Sequence, residues 1–250
     1  QIRLRPVAPI KLSEPIRVSD LPTPALVLDR PLFSANLIKM AEHVASHGKG
    51  FRPHAKTHKC PEIAQAQLAA GAVGICVAKV SEAVAQTGAG VDNILITSPI
   101  TTPGKVAILD RLVSEGHQLM IVIDSLLGLK QLQTGLASTN SLGVLIDLDV
   151  NMGRTGVRED AIVLELINKV NDDERLKFRG FQFYAGHVMH IEGFTERRDA
   201  SLGLWSRVSE RIELVRAHGI DFDIVTGCGT GTFNIDIEVD AITDLQVGSF

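Results

Sequence analysis

Val144-Leu145-Ile146-Asp147-Leu148-Asp149-Val150-Asn151-Met152-Gly153-Arg154-Thr155-Gly156 carries the pattern on which the fold turns: a short apolar run that ends in polar residues and a glycine-bounded turn. Val144–Val150 has the composition of a buried strand. Side chains alternate along a strand, so Asp147 and Asp149 share one face, opposite Leu148 and Val150. The same kind of run recurs at Ala25–Leu28, Phe51–Thr57, Gly74–Ala78, Asn93–Thr97, Leu119–Ile123, Phe178–Tyr184, Phe222–Val225 and Asp244–Ser249. Helical stretches lie between them. Pro61 opens Glu62–Ala70, which Gly71 closes; Ser81 is placed to cap a stretch to Gln86; Pro103 opens one that Gly116 ends; Arg197–His218 stops at Gly219.

Strand then helix, repeated, means parallel strands joined by crossover helices. The nine candidate strands are one more than an eight-stranded β/α barrel of the TIM type needs. That barrel is the expected α/β architecture, with a doubly wound open sheet as the alternative. Ala25–Leu28 is the extra strand, which makes Phe51–Thr57 the first of the barrel, Val144–Val150 the fifth, Phe222–Val225 the seventh and Asp244–Ser249 the eighth. Pro53 is awkward inside the first, because a barrel has no free edge; a bulge or a late strand start would resolve it.

Composition limits the function classes. The chain has 250 residues, 45% of them hydrophobic and 22% charged, which suits one large domain with a substantial core. A net charge of -4 gives no support for nucleic acid or an acidic membrane surface as partner. No apolar run is long enough to span a bilayer, and Gln1–Pro15 lacks a signal-peptide layout. Three scattered cysteines (Cys60, Cys76 and Cys228) point to a reducing, cytoplasmic setting rather than a disulfide framework. A start at Gln1 and a stop at Phe250, directly after a strand candidate, suggest a piece of a longer protein.

Active sites of parallel barrels form at the C-terminal strand ends, where several constellations fall. In Phe51-Arg52-Pro53-His54-Ala55-Lys56-Thr57-His58-Lys59, period two puts Arg52, His54, Lys56 and His58 on one face. Turned inward, that face suits an anion and a nucleophilic lysine, since neighbouring cations favour the free amine; turned outward, it is a solvated basic stripe. Thr226-Gly227-Cys228-Gly229-Thr230-Gly231-Thr232 follows the seventh strand, and its alternating glycines form a candidate phosphate nest. Its spacing is not that of a nucleotide-fold fingerprint. Cys228 there is either a reactive thiol or, the preferred reading, a small residue in a tight place. Gln182 and Tyr184 share a face of the sixth strand, with Phe181 and Phe183 packing toward helices. Arg154 is placed to reach an anionic group. Asp147 and Asp149 suit either basic neighbours, the preferred reading, or a hard cation. His187 and His190 have zinc-pair spacing but no third ligand. Nothing resembles a nucleophile elbow. A lysine, a phosphate nest and a tyrosine at strand ends suit a phosphate-bearing aldehyde such as pyridoxal 5'-phosphate (PLP); a phosphosugar enzyme with a Schiff-base lysine fits the same parts.

The ordered motifs go further. Arg52–Lys59, Thr23-Pro24-Ala25-Leu26-Val27-Leu28-Asp29, Met152-Gly153-Arg154-Thr155-Gly156-Val157, Tyr184-Ala185-Gly186-His187, Thr226–Thr232 and Leu245-Gln246-Val247-Gly248-Ser249-Phe250 together resemble the D-threonine aldolase and D-serine dehydratase family. This family belongs to the alanine-racemase-like (fold type III) PLP enzymes, and the likeness runs from about Asp20 onward. The resemblance implies an N-terminal extension over residues 1–20, a PLP-binding barrel over 21–250, and a C-terminal β-domain that this chain lacks. It implies that Lys56 holds PLP as a Schiff base, that Arg154 meets its phenolic oxygen, and that Tyr184 and Gln182 lie by the ring. Thr226, Gly227, Gly229, Thr230 and Gly231 would bind the phosphate. His54 and His58 are candidate proton carriers or supports for Lys56 and Arg154. Cys228 departs from the family's all-glycine loop start; a nest of mainly backbone contacts would survive this, and a crowding Cβ is the alternative. A divalent metal is expected only in the full-length enzyme, on ligands of the absent domain; Ala25–Leu28 would pack with that domain. The implied reaction is retro-aldol cleavage of a D-3-hydroxy amino acid to glycine and an aldehyde, in a cytoplasmic homodimer. The alternatives are β-elimination, as in D-serine dehydratase, and a non-catalytic PLP-binding barrel.

Overall fold

Branched apolar residues crowd poorly in a helix and pack well on a pleated surface, and the strands form where they run together. The computed structural model describes residues 14–250; residues 1–13, the greater part of the expected N-terminal extension, lie outside the described residues. The strands are β1 (Gly50–Phe51), β2 (Ile75–Val77), β3 (Ile94–Ile96), β4 (Leu119–Ile123), β5 (Leu142–Leu148), β6 (Leu176–Phe183), β7 (Ile224–Gly227) and β8 (Asp244–Leu245). All pair in parallel, in the order β1-β8-β7-β6-β5-β4-β3-β2. The ends of that order meet: Val73 N–H donates to Phe51 O at 2.8 Å, Cys76 N–H donates to Pro53 O at 2.9 Å, and His54 bridges Cys76. The sheet is therefore the expected eight-stranded β/α barrel.

The helices are α1 (Arg30–Ser46), α2 (Pro61–Ala69), α3 (Val80–Thr87), α4 (Pro103–Ser114), α5 (Leu126–Gly135), α6 (Asp160–Asn171), α7 (Phe194–Ala217) and the single turn α8 (Phe233–Asp236). Each of the longer ones buries one stripe: α6 covers the sheet with Val163, Leu166, Ile167 and Val170, the spacing of a helix face. Phe183 meets Trp205 of α7 edge-on, with ring centroids 4.6 Å apart, as expected, while Phe181 packs against the rings of Phe178 and Phe222. The barrel interior is filled by Cys76, Leu95, Met120, Val122, Leu145 and Ile224. Two compact units divide the chain, residues 1–35 and 36–250; the second contains the whole barrel.

Four expectations need correction. Ala25–Leu28 forms no strand among the described residues. The first barrel strand is only Gly50–Phe51, because Pro53 has no N–H and the chain then tightens into a 3-10 turn, Ala55–Thr57. The eighth strand stops at Leu245 rather than Ser249. Lys79, not Ser81, is the N-cap of α3, and Glu82 reaches back to accept from Ala78 N–H at 2.9 Å.

One irregularity sets the register that matters below. Between β5 and β6 the pairing slips, Val144 opposing Phe178 and Leu145 opposing Gly180. Gly180 sits at φ +132°, and a Cβ there would lie 1.8 Å from Ile224 O, so only glycine permits the bulge. Beyond it Asp147 comes opposite Gln182.

Candidate functional site

The 3-10 turn after β1 determines where Lys56 points. His54 caps it, its Nδ1 accepting from Lys56 N–H at 3.3 Å. That bond places the imidazole proton on Nε2, which donates to Thr97 Oγ1 at 3.0 Å; Thr97 Oγ1 in turn donates to Val77 O at 3.1 Å. His54 is buried, and burial, followed by the charges of Lys56, Lys59 and Arg154, pushes its pKa down to about 3. It is therefore a neutral fixture of the turn.

The turn also breaks the predicted alternation. Arg52 is buried in the barrel against Asp244, with Nε 2.5 Å from Oδ2, and is taken by a carboxylate rather than left for an anion. Lys56 reaches the mouth of the barrel, its Nζ 5.2 Å from the centroid of the Tyr184 ring. Arg154 approaches the same ring, its Cζ 5.1 Å from the centroid. Partial burial first, then Arg154, lowers the Lys56 pKa and favours the uncharged amine. His58 turns away from this cleft. Its Nδ1 accepts from Cys60 N–H at 3.0 Å, and its ring lies against Gln67 of α2. Of the four basic residues, only His54 and Lys56 therefore border the cleft.

Opposite Lys56 the chain leaves β7 through the glycine loop. The N–H groups of Cys228, Gly229, Thr230 and Gly231 donate to no acceptor among the described residues. Added Cβ atoms would lie 2.8 Å from Met189 Sδ at Gly229 and 2.4 Å from Met189 O at Gly231, so the loop is as tight as backbone alone allows. Thr230 Oγ1 accepts from Gly248 N–H at 3.3 Å and Ser249 N–H at 3.0 Å, which ties this loop to the exit of β8. Cys228 holds the left-handed conformation, φ +71°, that glycine would take without strain. Its buried thiol donates to Gly229 O at 3.2 Å and is pushed up in pKa by burial and by Asp236, so it is a packed residue and not a nucleophile. Thr226 lies beneath the loop, its hydroxyl donating to Asp244 O at 3.0 Å. Asp236, invisible as a site residue in the sequence, braces the loop from behind by accepting from Ser201 Oγ at 2.5 Å and Thr232 Oγ1 at 2.6 Å.

Lys56, Arg154, Tyr184, Gln182, Gly229 and Thr230 line one cleft, with Gln246, Gly248 and Ser249, to which the sequence assigned no role, as further walls. Gln246 and Gly248 could have been found from position alone, since they follow the last strand. A larger cavity, about 740 Å³, lies between α1 and α8 beside Phe250, and Lys56, Arg154 and Tyr184 take no part in it. Among the described residues no three His, Cys, Asp or Glu side chains converge as a metal site, and His187 and His190 are both exposed. No helix among them is long and apolar enough to cross a membrane.

Residues 28–249 match the family described as alanine racemase, N-terminal domain. Over 229 residues the chain is 38% identical to a D-threonine aldolase of Arthrobacter sp, covering 91% of this chain and 60% of that protein. Over 234 residues it is 30% identical to a 3-hydroxy-D-aspartate aldolase of Paracoccus denitrificans, covering 93% and 60% respectively. The crystal structure of D-threonine aldolase from Filomicrobium marinum superposes with a TM-score of 0.89 at 33% identity, over 93% of this chain and 63% of that one. The chain thus spans about three-fifths of the length of these relatives.

Proposed function

The chain belongs to the alanine racemase N-terminal domain family, and on that premise we propose that it is the cofactor barrel of a PLP-dependent lyase that cleaves D-3-hydroxy amino acids to glycine and an aldehyde. The observation that carries the reading is one cleft with a lysine of lowered pKa on one wall and, on the other, Cys228, Gly229 and Thr230, whose backbone N–H groups donate to no acceptor among the described residues. An aldehyde that also bears a phosphate needs both.

The residues present fit that cofactor. Lys56 would hold it covalently. Arg154, Tyr184 and Gln182 would surround the ring. Cys228, Gly229, Thr230 and Gly231, with Thr226 and Gly227 at the end of β7 beneath them, would receive the phosphate through backbone N–H groups, as such nests do. When bound, PLP supplies the electron sink for the bond that breaks at Cα.

The rest falls to this chain's own groups. Lys56, favoured as free amine, is the residue able to move a proton within the cleft. His54 stays neutral and holds the turn that aims Lys56. His58 lies outside the cleft and has no part in this scheme. The Arg154 guanidinium over the Tyr184 ring makes the site attractive to a carboxylate substrate. The divalent metal that the resemblance implies finds no ligand set among the described residues. A homodimer belongs to the same proposal, and three unpaired cysteines support a reducing cytoplasm as its setting.

The full-length gene product, given PLP and D-threonine, is expected to release glycine and acetaldehyde in equal amounts. Ammonia with a 2-oxo acid would replace the aldol reading by β-elimination. Neither pair of products would overturn both.

A further inference from the structure

We propose that Asp147 is a positioning residue for the cofactor, a buried carboxylate that ties the Arg154 turn to the barrel interior and holds Arg154 over Tyr184; the inference rests on the PLP reading above.

Asp147 is the last residue but one of β5 and is 3% exposed. One oxygen, Oδ2, accepts from Thr155 Oγ1 at 2.7 Å. The other, Oδ1, accepts from Gln182 Nε2 at 3.0 Å. Thr155 is the neighbour of Arg154, so the first bond grips the turn from inside the barrel. The backbone grips it too: Val157 N–H donates to Asp147 O at 2.9 Å, and Asp149 N–H donates to Val157 O at 3.1 Å. The outer part of the turn has its own anchor, Asp149, which accepts from Met152 N–H at 2.8 Å and Gly153 N–H at 3.1 Å and pairs with Arg158.

Asp147 also fixes what lies beneath the ring site. A carboxylate only accepts, so it forces the Gln182 amide to present its nitrogen. Gln182 Nε2 reaches Thr97 O at 3.3 Å as well, and Gln182 Oε1 is left to accept from Gln246 Nε2 at 3.2 Å. Gln246 Nε2 also reaches Thr226 Oγ1 at 3.2 Å. One network therefore runs from the Arg154 turn to the foot of the glycine loop, and Asp147 sets its direction.

The fold gains little from an acid here. Burial pushes the Asp147 pKa up to about 6, with Asp124 adding to the rise, even though Thr155, Gln182 and Arg154 oppose it. A carboxylate kept ionised against its surroundings, beside a candidate site, fits a functional role better than a packing one.

The experiment measures PLP affinity, from the visible band of bound cofactor at pH 8, and the Tm of the apoprotein, for wild type, Asp147→Asn and Thr155→Val. Asparagine keeps the shape and removes the charge; valine removes only the bond to the turn. No band in the wild type would sink the PLP reading itself. With a wild-type band present, both variants are expected to bind PLP about tenfold more weakly or worse, the loss of one charge-assisted hydrogen bond's worth of alignment. The Asp147→Asn apoprotein is expected to melt no lower than wild type. Wild-type affinity in both variants overturns the proposal. Should Asp147→Asn melt lower, Thr155→Val decides: weakened affinity supports positioning, and wild-type affinity leaves Asp147 a structural residue only.

Discussion

Replacing Asp244 by leucine should weaken the barrel far more than replacing Asp244 and Arg52 together. The two side chains are 5% and 6% exposed and meet at 2.5 Å across the β1–β8 seam. The other contacts of the guanidinium, from Nη1 to Asn93 O and Asn93 Oδ1, are both 3.4 Å long, so Asp244 is its one strong partner. Asp244→Leu leaves a buried cation uncompensated, which costs about 3–5 kcal/mol. At roughly 2–4 °C per kcal/mol for a domain of this size, Tm should fall by about 6–20 °C. Arg52→Met with Asp244→Leu removes both charges and should return to within about 2 kcal/mol of wild type, since buried pairs replaced by apolar residues are often near neutral. Urea unfolding followed by far-UV circular dichroism gives the four corners of the cycle, and the coupling energy should be about 3 kcal/mol. Additive losses, with the double variant below both singles, would refute the view that Arg52 is a closure element with Asp244 as its counterion. The consequence reaches the site, because His54 and Lys56 lie two and four residues beyond Arg52 on the chain.

Further outcomes follow from local geometry. Gly203, inside α7 with nothing within 4 Å of an added Cβ, should accept alanine with a gain of about 0.5–1 kcal/mol, read as a raised Tm. Gly231→Ala, with a Cβ 2.4 Å from Met189 O, should displace the glycine loop and weaken retention of PLP on desalting, while a Gly104→Ala control on open surface should not. His54 has a pKa lowered to about 3, so the unfolded chain binds a proton that the folded one refuses between about 6.5 and 3. Its contribution is fully present above 6.5 and is lost as pH falls through that window, by up to about 1.4 kcal/mol per pH unit; His54→Gln should flatten this part of the stability profile.

Much of the fold was legible because β2, β3, β4 and, apart from Asp147, β5 are runs of apolar residues and glycine buried on both faces, as parallel strands covered by helices must be. Where few residues pair, sequence misled. β1 and β8 are two residues each, and most of Phe51–Thr57 and Asp244–Ser249 is extended or turning chain at the barrel mouth. Pro53 was the warning, and the 3-10 turn was its resolution. α5 and α6 are not marked in the sequence reading: they lack an opening proline, and their signals are Ser125 accepting from Gly128 N–H and the apolar spacing from Val163 to Val170. At the site, Lys56, Arg154, Tyr184 and the glycine loop were found because their residue types are chemically distinctive. The support of Asp236 and the direction of the Asp147–Gln182–Gln246 network depend on contacts between residues far apart in the chain, and the Gly180 bulge that aligns Asp147 with Gln182 appears only once β5 and β6 are paired.

The central claim is that Lys56 and the glycine loop together hold PLP. The most direct test is the visible absorption spectrum of the protein after incubation with PLP and desalting, beside that of Lys56→Ala. The account predicts a band that survives desalting in the parent and is absent from the variant. An equal band in both, or no band in the full-length parent, would contradict it.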